Sequence, residues 1–179
     1  MHVDVAVAKL KDIALLERWM PVEDVPDAHQ QRFSLQKEHK GVYLLAFDAG
    51  IPVGYVTLQF KNPYELSREA YSNYAYVEGL SVDADQHRRG IGTLLMQSLE
   101  RYAQREGFEN IGLYVGVGNL PARSLYKSLL YEPTDLPPYL VTWKALNRAT
   151  GAFEDDGEVC NFWTKAVGKV LTEDKSTAQ

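Results

Sequence analysis

Val3-Asp4-Val5-Ala6-Val7 alternates apolar and polar positions with period two, the pattern of a half-buried strand. Ile13, Leu16 and Met20 then recur at helical spacing within Lys11–Met20, and Pro21 ends that helix. Pro26 and Asp27 start a more polar helix that runs to about Lys40. Two apolar runs, Gly41–Phe47 and Pro52–Phe60, flank the turn Asp48-Ala49-Gly50 and predict a hairpin. Asn62–Ser72 contains Pro63 and many polar residues and reads as a loop, with Tyr74–Val82 as the next strand. From Gly90 to Glu106, the positions Ile91, Leu94, Leu95, Leu99 and Tyr102 form one apolar stripe, which Gly107 stops. Asn110–Val117 is a strand, and Pro121–Leu130 is a helix with proline inside its first turn. Tyr139–Lys144 and Glu158–Lys165 are two late strands around an acidic, Gly-containing segment, Asn147–Gly157, which reads as a solvated hairpin tip. Strands interleaved with helices, including a central hairpin, predict an α/β (mixed) fold with a central mixed β-sheet of about seven strands flanked by helices on both faces. Residues 1–170 are expected to form a single domain and 171–179 a disordered tail.

Composition narrows the classes. At 179 residues, one core can bury most of the apolar surface without staples. Hydrophobic types at 45% and charged types at 24% exclude a disordered chain. Nineteen basic residues against 24 acidic ones leave a formal charge of −5, the wrong sign for a protein whose main partner is nucleic acid. An acidic chain tends to attract cationic partners such as amines. Cys160 is the only cysteine, which excludes an internal disulfide and a cysteine-based metal site. It sits between Val159 and Phe162 in an expected core strand, where an inert thiol is the natural reading. The four histidines include no i, i+4 pair, so no metal is expected. The start Met1-His2-Val3-Asp4 lacks the basic region of a signal peptide, and no apolar run approaches ~18 residues. The expectation is a cytoplasmic protein with no membrane contact.

Chemistry concentrates in Glu78-Gly79-Leu80-Ser81-Val82-Asp83-Ala84-Asp85-Gln86-His87-Arg88-Arg89-Gly90-Ile91-Gly92-Thr93-Leu94-Leu95, a strand, a glycine-bearing loop and a helix start. Unpartnered N–H groups and the helix dipole make such a terminus an anion site, and glycines let a phosphate approach the main chain. Arg88 and Arg89 add mobile positive charge. A P-loop would need Lys followed by Ser or Thr after its second glycine, which is absent. A dinucleotide fingerprint would need a third glycine where Leu95 stands. The remaining nucleotide reading is a cradle for the pyrophosphate of coenzyme A.

After the next strand comes Gly118-Asn119-Leu120-Pro121-Ala122-Arg123-Ser124-Leu125-Tyr126. Together the two segments resemble the GNAT family of N-acetyltransferases. In that family a Gln/Arg-x-x-Gly-x-Gly/Ala loop holds the acetyl-CoA pyrophosphate, and Asn-x-x-Ala-x-x-Leu-Tyr follows about one strand later. The element order matches the family fold over residues 3–165, while about fifty residues carry the specific motifs. The resemblance implies an acetyl-CoA site drawn from Leu80, Ser81, Val82, His87, Arg88, Arg89, Gly90, Ile91, Gly92, Thr93, Asn119 and Tyr126. Two positions depart from the pattern: His87 stands at the Gln/Arg place, and Leu130 where a glycine usually follows the Leu-Tyr helix. A left-handed leucine at that site costs roughly 1 kcal/mol, so the helix is expected to end differently.

Acetyl transfer to an amine needs a neutral nucleophile, donors for the oxyanion and a proton for the departing thiolate. An alkyl amine with a pKa of about 10.4 must first lose a proton, and Glu78 is the candidate base, directly or through water. The strand before Asn119 offers no carboxylate between Ile111 and Gly118. Tyr126 occupies the place of the family's general acid. A main-chain N–H around Leu80–Val82 would meet the oxyanion, and Gly79 inside a strand suggests a bulge that turns amides toward it. Asn119 suits a helix cap, which is compatible with cofactor contact. For a cationic acceptor, the candidates are Glu23 and Asp24, with Asp27 nearby, and the tyrosines Tyr74 and Tyr76 with Tyr64 and Tyr71. The expected activity is acetyl transfer to a primary amine of a small molecule. The alternatives are a protein N-terminus or lysine as acceptor, or a non-catalytic acyl-CoA-binding regulatory module. A homodimer is left open.

Overall fold

A computed structural model describes residues 2–64, 67 and 69–168. In chain order the elements are β1 (Val3–Val7), α1 (Leu10–Trp19), α2 (Ala28–Lys37), β2 (Gly41–Asp48), β3 (Ile51–Gln59), β4 (Ala75–Val82), a 3-10 turn (Ala84–Gln86), α3 (Ile91–Arg105), β5 (Asn110–Gly116), α4 (Leu120–Ser128), β6 (Glu132–Pro133), β7 (Tyr139–Leu146) and β8 (Phe153–Ala166). The strands form one sheet in the order β1-β2-β3-β4-β5-β8-β6, and β7 also pairs with β8. All neighbours are antiparallel except β4 and β5. The mixed α/β architecture is the one the periodicity predicts, with the two-residue β6 added.

Helices cover both faces, which explains the unbroken apolar run of β2. Val42, Leu44 and Ala46 join the cluster under α3, with Leu95, Met96 and Leu99. Tyr43 and Leu45 point the other way, to Ile13, Leu16 and Phe33 of α1 and α2. A strand buried on both sides loses its polar alternation. Helix α2 has little apolar surface and is anchored by polar side chains instead. His29 is fully buried, with Nδ1 2.7 Å from the Tyr43 hydroxyl and Nε2 2.8 Å from the Met20 carbonyl. Gln36 donates to the Ala8 carbonyl at 2.9 Å and accepts from the Tyr43 N–H at 3.1 Å. Burial lowers the His29 pKa, so the ring is neutral, and the Nε2 proton goes to Met20.

Two expectations need correction. The acidic segment expected at a hairpin tip is largely strand: Glu154, Asp155, Asp156 and Gly157 pair with Ala145, Lys144, Trp143 and Thr142. This ribbon is solvated on both faces, so it lacks the alternation that reveals a half-buried strand. The second correction concerns Leu130, which does take the left-handed conformation, at φ 66°. The Tyr131 N–H donates to the Tyr126 carbonyl at 2.9 Å and the Leu130 N–H to the Lys127 carbonyl at 3.0 Å. This is a Schellman ending with leucine in glycine's place, and the Tyr126 and Tyr131 rings, 5.8 Å apart, supply its apolar contact. The closing hydrogen bonds and this contact outweigh the strain of one residue. The tail expected at 171–179 lies outside the described residues.

Leu130 is 75% exposed, so replacing it removes strain without removing packing. Leu130→Gly is expected to stabilise the fold by about 0.5–1 kcal/mol, the left-handed penalty less glycine's extra unfolded-state entropy. Thermal denaturation checks this; a lower melting temperature would show that the leucine side chain contributes packing.

Candidate active site

Strands β4 and β5 pair through only three residues each, Ala75–Val77 against Ile111–Leu113. Beyond that point they separate. On the β3 side, Tyr55 opposes Ser81 while Thr57 opposes Glu78, so β4 carries one extra residue. Gly79 absorbs it at φ 63°, the bulge expected from a glycine inside a strand. Meanwhile β8 holds β5 straight from Asn110 to Gly116. The result is a cavity of about 920 Å³ with Glu78, Gly79 and Leu80 on one wall and Tyr114, Val115 and Gly116 on the other.

Peptide groups of β4 line the gap. The Asp83 N–H donates to the Val53 carbonyl, and Ser81 opposes Tyr55, so alternation turns the Val82 N–H and carbonyl away from β3. That carbonyl is taken by His87 Nε2 at 2.9 Å. His87 therefore folds back onto its own loop instead of extending outward. At the start of α3, Gly90 caps the helix at φ 76° after Arg88 at φ 62°. The first bond into the helix runs from Leu94 N–H to the Gly90 carbonyl. The amides of Gly90, Ile91, Gly92 and Thr93 have no acceptor among the described residues and form an anion cradle. A Cβ on Gly92 would stand 3.3 Å from Leu125 Cδ2, so glycine lets α3 and α4 meet at the cradle's edge. Arg88 is exposed beside it. Arg89 is not the mobile charge expected, because its guanidinium donates to Asp48 at 2.9 Å with both side chains mostly buried.

Glu78, Leu80, Asn119 and Tyr126 all line the same cavity. The Glu78 carboxylate accepts a hydrogen bond from Gln59 Nε2. Asn119 caps α4, accepting from the Ala122 N–H at 3.2 Å. Tyr126 is 8% exposed, its hydroxyl makes no hydrogen bond among the described residues, and burial pushes its pKa up to about 12. Cys160 also borders the cavity, with its thiol pushed up to about 11 by burial.

The acceptor side differs more from expectation. Tyr64 and Tyr76 line the cavity, and the Tyr64 ring meets Tyr76, Tyr114 and Tyr139 at 5.6, 5.2 and 5.9 Å. Burial first, then the nearby Glu78 charge, raises the pKa of Tyr64. Burial, then Tyr64 and Glu78, does the same to Tyr76, so both stay neutral. Tyr74 lies elsewhere, in a separate hollow with Tyr71. Glu23 and Asp24 are outside the cavity lining and pair with Arg148 at 2.5 and 2.9 Å. With the Leu146 N–H on the Asp24 carbonyl at 2.7 Å, they clasp the β7–β8 ribbon to the α1–α2 loop. Residues not anticipated from sequence complete this side: Arg32 from α2, Gln59 from β3, and Trp143, Phe153 and Glu158 from the ribbon. Arg32 carried a weak signal, since it stands between the buried His29 and Phe33.

Residues 10–130 match the model of the acetyltransferase (GNAT) family. An uncharacterized N-acetyltransferase of Methanocaldococcus jannaschii is 29% identical over 105 residues, 59% of this chain. The chain spans 45% of that relative's length. The crystal structure of a phosphinothricin acetyltransferase from Sinorhizobium meliloti in complex with acetyl-CoA superposes with a TM-score of 0.65 at 18% identity, covering 94% of this chain and 90% of the other. A ribosomal-protein-S18-alanine N-acetyltransferase from Escherichia coli gives 0.64 at 14% identity, covering 96% and 98%. At such identities the likeness concerns the fold.

The raised pKa has a direct readout. Tyr126 keeps its proton as pH rises past the ordinary tyrosine value of about 10. The ultraviolet titration of wild type minus Tyr126→Phe should therefore show no tyrosinate from this residue below about pH 11. Ionisation near the ordinary value would mean that water reaches the hydroxyl freely.

Proposed function

The chain belongs to the acetyltransferase (GNAT) family, and from that premise we propose that it moves the acetyl group of acetyl-CoA onto the primary amine of a small molecule by direct attack. One observation carries this reading: the separated strand edges, Glu78 and Tyr126 border a single cavity, next to an anion cradle at the start of α3. Acetyl-CoA supplies the activated thioester. The amides of Gly90–Thr93 and the Arg88 side chain hold the diphosphate, and the exposed edge of β4 orients the arm that leads to the thioester. Glu78, held by Gln59, accepts the proton of the incoming ammonium so that a neutral amine attacks. A main-chain N–H between Leu80 and Val82, of which Leu80 lines the cavity, donates to the oxyanion. Tyr126, neutral at working pH, gives its proton to the departing thiolate as the C–S bond breaks and regains one from the N–H of the tetrahedral adduct, while Glu78 releases its proton to water.

A small acceptor is favoured by the walls of the cavity. Trp143 and Phe153 of the ribbon and Pro26 and Arg32 of the α2 region line it, and the Glu23–Arg148–Asp24 clasp ties those two sides together. A folded protein surface would have to part them.

Thiol release with an amine panel tests the assignments. Glu78→Gln should lower kcat by about 10²-fold or more and shift the optimum to alkaline pH, since the free-amine fraction then limits the rate. Tyr126→Phe should lower kcat by about 10²-fold with little change in the KM for acetyl-CoA. Unchanged rates for both variants at every pH would place the chemistry elsewhere. In calorimetry with coenzyme A, Arg88→Ala should weaken binding by less than about tenfold, because the backbone amides remain. Wild type that binds no coenzyme A would overturn the proposal.

A further inference from the structure

Arg32 is a cation without an anion, set at the acceptor end of the cavity. It rises from α2, and its Nε and Nη1 are buried with no hydrogen-bond partner among the described residues. The guanidinium lies over the Tyr55 ring, 5.1 Å from its centroid, and packs against the bulge. A Cβ at Gly79 would stand 3.0 Å from both Nε and Nη2, so glycine is what admits the guanidinium there. No carboxylate among the described residues lies within ion-pair distance of it, although Glu78 is the next residue along β4. Lys144, which also lines the cavity, is already paired with Asp155 at 2.7 Å.

Nε and Nη1 lie on different edges of the guanidinium and are closed off from the cavity, so no single carboxylate meets both. Nη2 is not closed off in this way, and through it Arg32, which lines the cavity over Tyr55, can donate to an anion. Two carboxylates line the same cavity: Glu78, on the wall that Arg32 packs against, and Glu158, on the opposite wall where a Cβ on Gly116 would be. The charges on the acceptor side are therefore arranged for a zwitterion. We propose that Arg32 is a specificity-determining residue that binds a carboxylate carried by the acceptor, within a few bonds of the amine that Glu78 deprotonates. The acceptor class is then an amino acid or a close relative, because Arg32 rests against the residue adjacent to Glu78. A simple alkyl amine or a polyamine would offer Arg32 no anion and would add a second cation beside it.

This inference rests on the acetyltransferase reading, and its test separates the two. The protein saturated with coenzyme A is melted in the presence of the α-amino acids and β-alanine, each beside its carboxamide and its decarboxylated amine. At least one amino acid should raise the melting temperature where its amide and amine do not. Arg32→Gln should abolish that difference, Arg32→Lys should keep part of it, and both should melt near wild type without ligand. In thiol-release assays, Arg32→Gln should raise the KM for the amino acid by about tenfold or more and shift that for amines lacking a carboxylate by much less. No amino acid preferred over its amide, or equal losses for acceptors with and without a carboxylate, would overturn the proposal. So would a carboxylate requirement that follows the acyl donor, seen as an Arg32-dependent preference for succinyl-CoA with amines lacking a carboxylate. If wild type turns over no amine at all, the catalytic reading fails, and the melting series still decides Arg32.

Discussion

Where β4 and β5 stop pairing, two rows of peptide groups face each other across a cavity rather than bonding to one another. Buried backbone groups left without partners cost about 1–3 kcal/mol each, so a sheet opens this way only if something prevents closure. Two features do. The bulge at Gly79 shifts the second half of β4 out of register with its continuation, and the antiparallel pairing with β8 holds β5 in line from end to end. The fold thus retains an unfilled strand position. An extended, amide-bearing ligand arm satisfies such an edge as a strand would, without needing a side-chain code for it.

The same constraint explains which parts of the site were legible in the sequence. The cradle depends on the start of one helix, and helix starts are local: Gly90, Gly92 and the stripe through Leu99 announce it within a few residues. Gly79 was readable for the same reason, as a glycine where strand propensity disfavours one. Asn119 and Tyr126 were named through the resemblance to the GNAT family, and Glu78 through its place two residues before Leu80 and the lack of a carboxylate in the strand before Asn119. The acceptor side has no such local grammar. Arg32, Gln59, Trp143 and Glu158 come from four elements and meet only through the packing of α2 and the ribbon on the sheet. Glu23 and Asp24 looked available because a loop carboxylate gives no sign of a partner 124 or 125 residues away. The first half of β8 was hidden because strand periodicity reports a buried face, and that ribbon has none.

Leu130 shows how strain and site are joined. The left-handed leucine closes α4, and the hydrogen bond it permits, from Tyr131 N–H to the Tyr126 carbonyl, falls on the residue assigned as the acid. The helix end fixes the backbone of Tyr126, and its ring packs on Tyr131 at the cavity wall. In the acid role proposed for it, Tyr126 must regain a proton as it gives one up, since burial disfavours the phenolate.

Charge distribution resolves an apparent conflict between a polyanionic cofactor and a chain of net charge −5. At physiological salt the Debye length is about 8 Å, so distant carboxylates contribute little to the field at the cradle. Nearby ones matter, and Asp48 approaches that side through the β2–β3 turn. Arg89 neutralises it at 2.9 Å, while Arg88 and the helix amides supply the positive potential directly. The Arg89–Asp48 pair thus lowers the negative charge on this side of the helix start. Four carboxylates, Glu154, Asp155, Asp156 and Glu158, lie on the ribbon, where Asp155 and Glu154 engage Lys144 and Asn147, while Asp83 and Asp85 stand in the loop that leads to the helix start. Net charge sets the long-range approach of partners, and the arrangement within a few ångströms of each end of the cavity sets which partner is held.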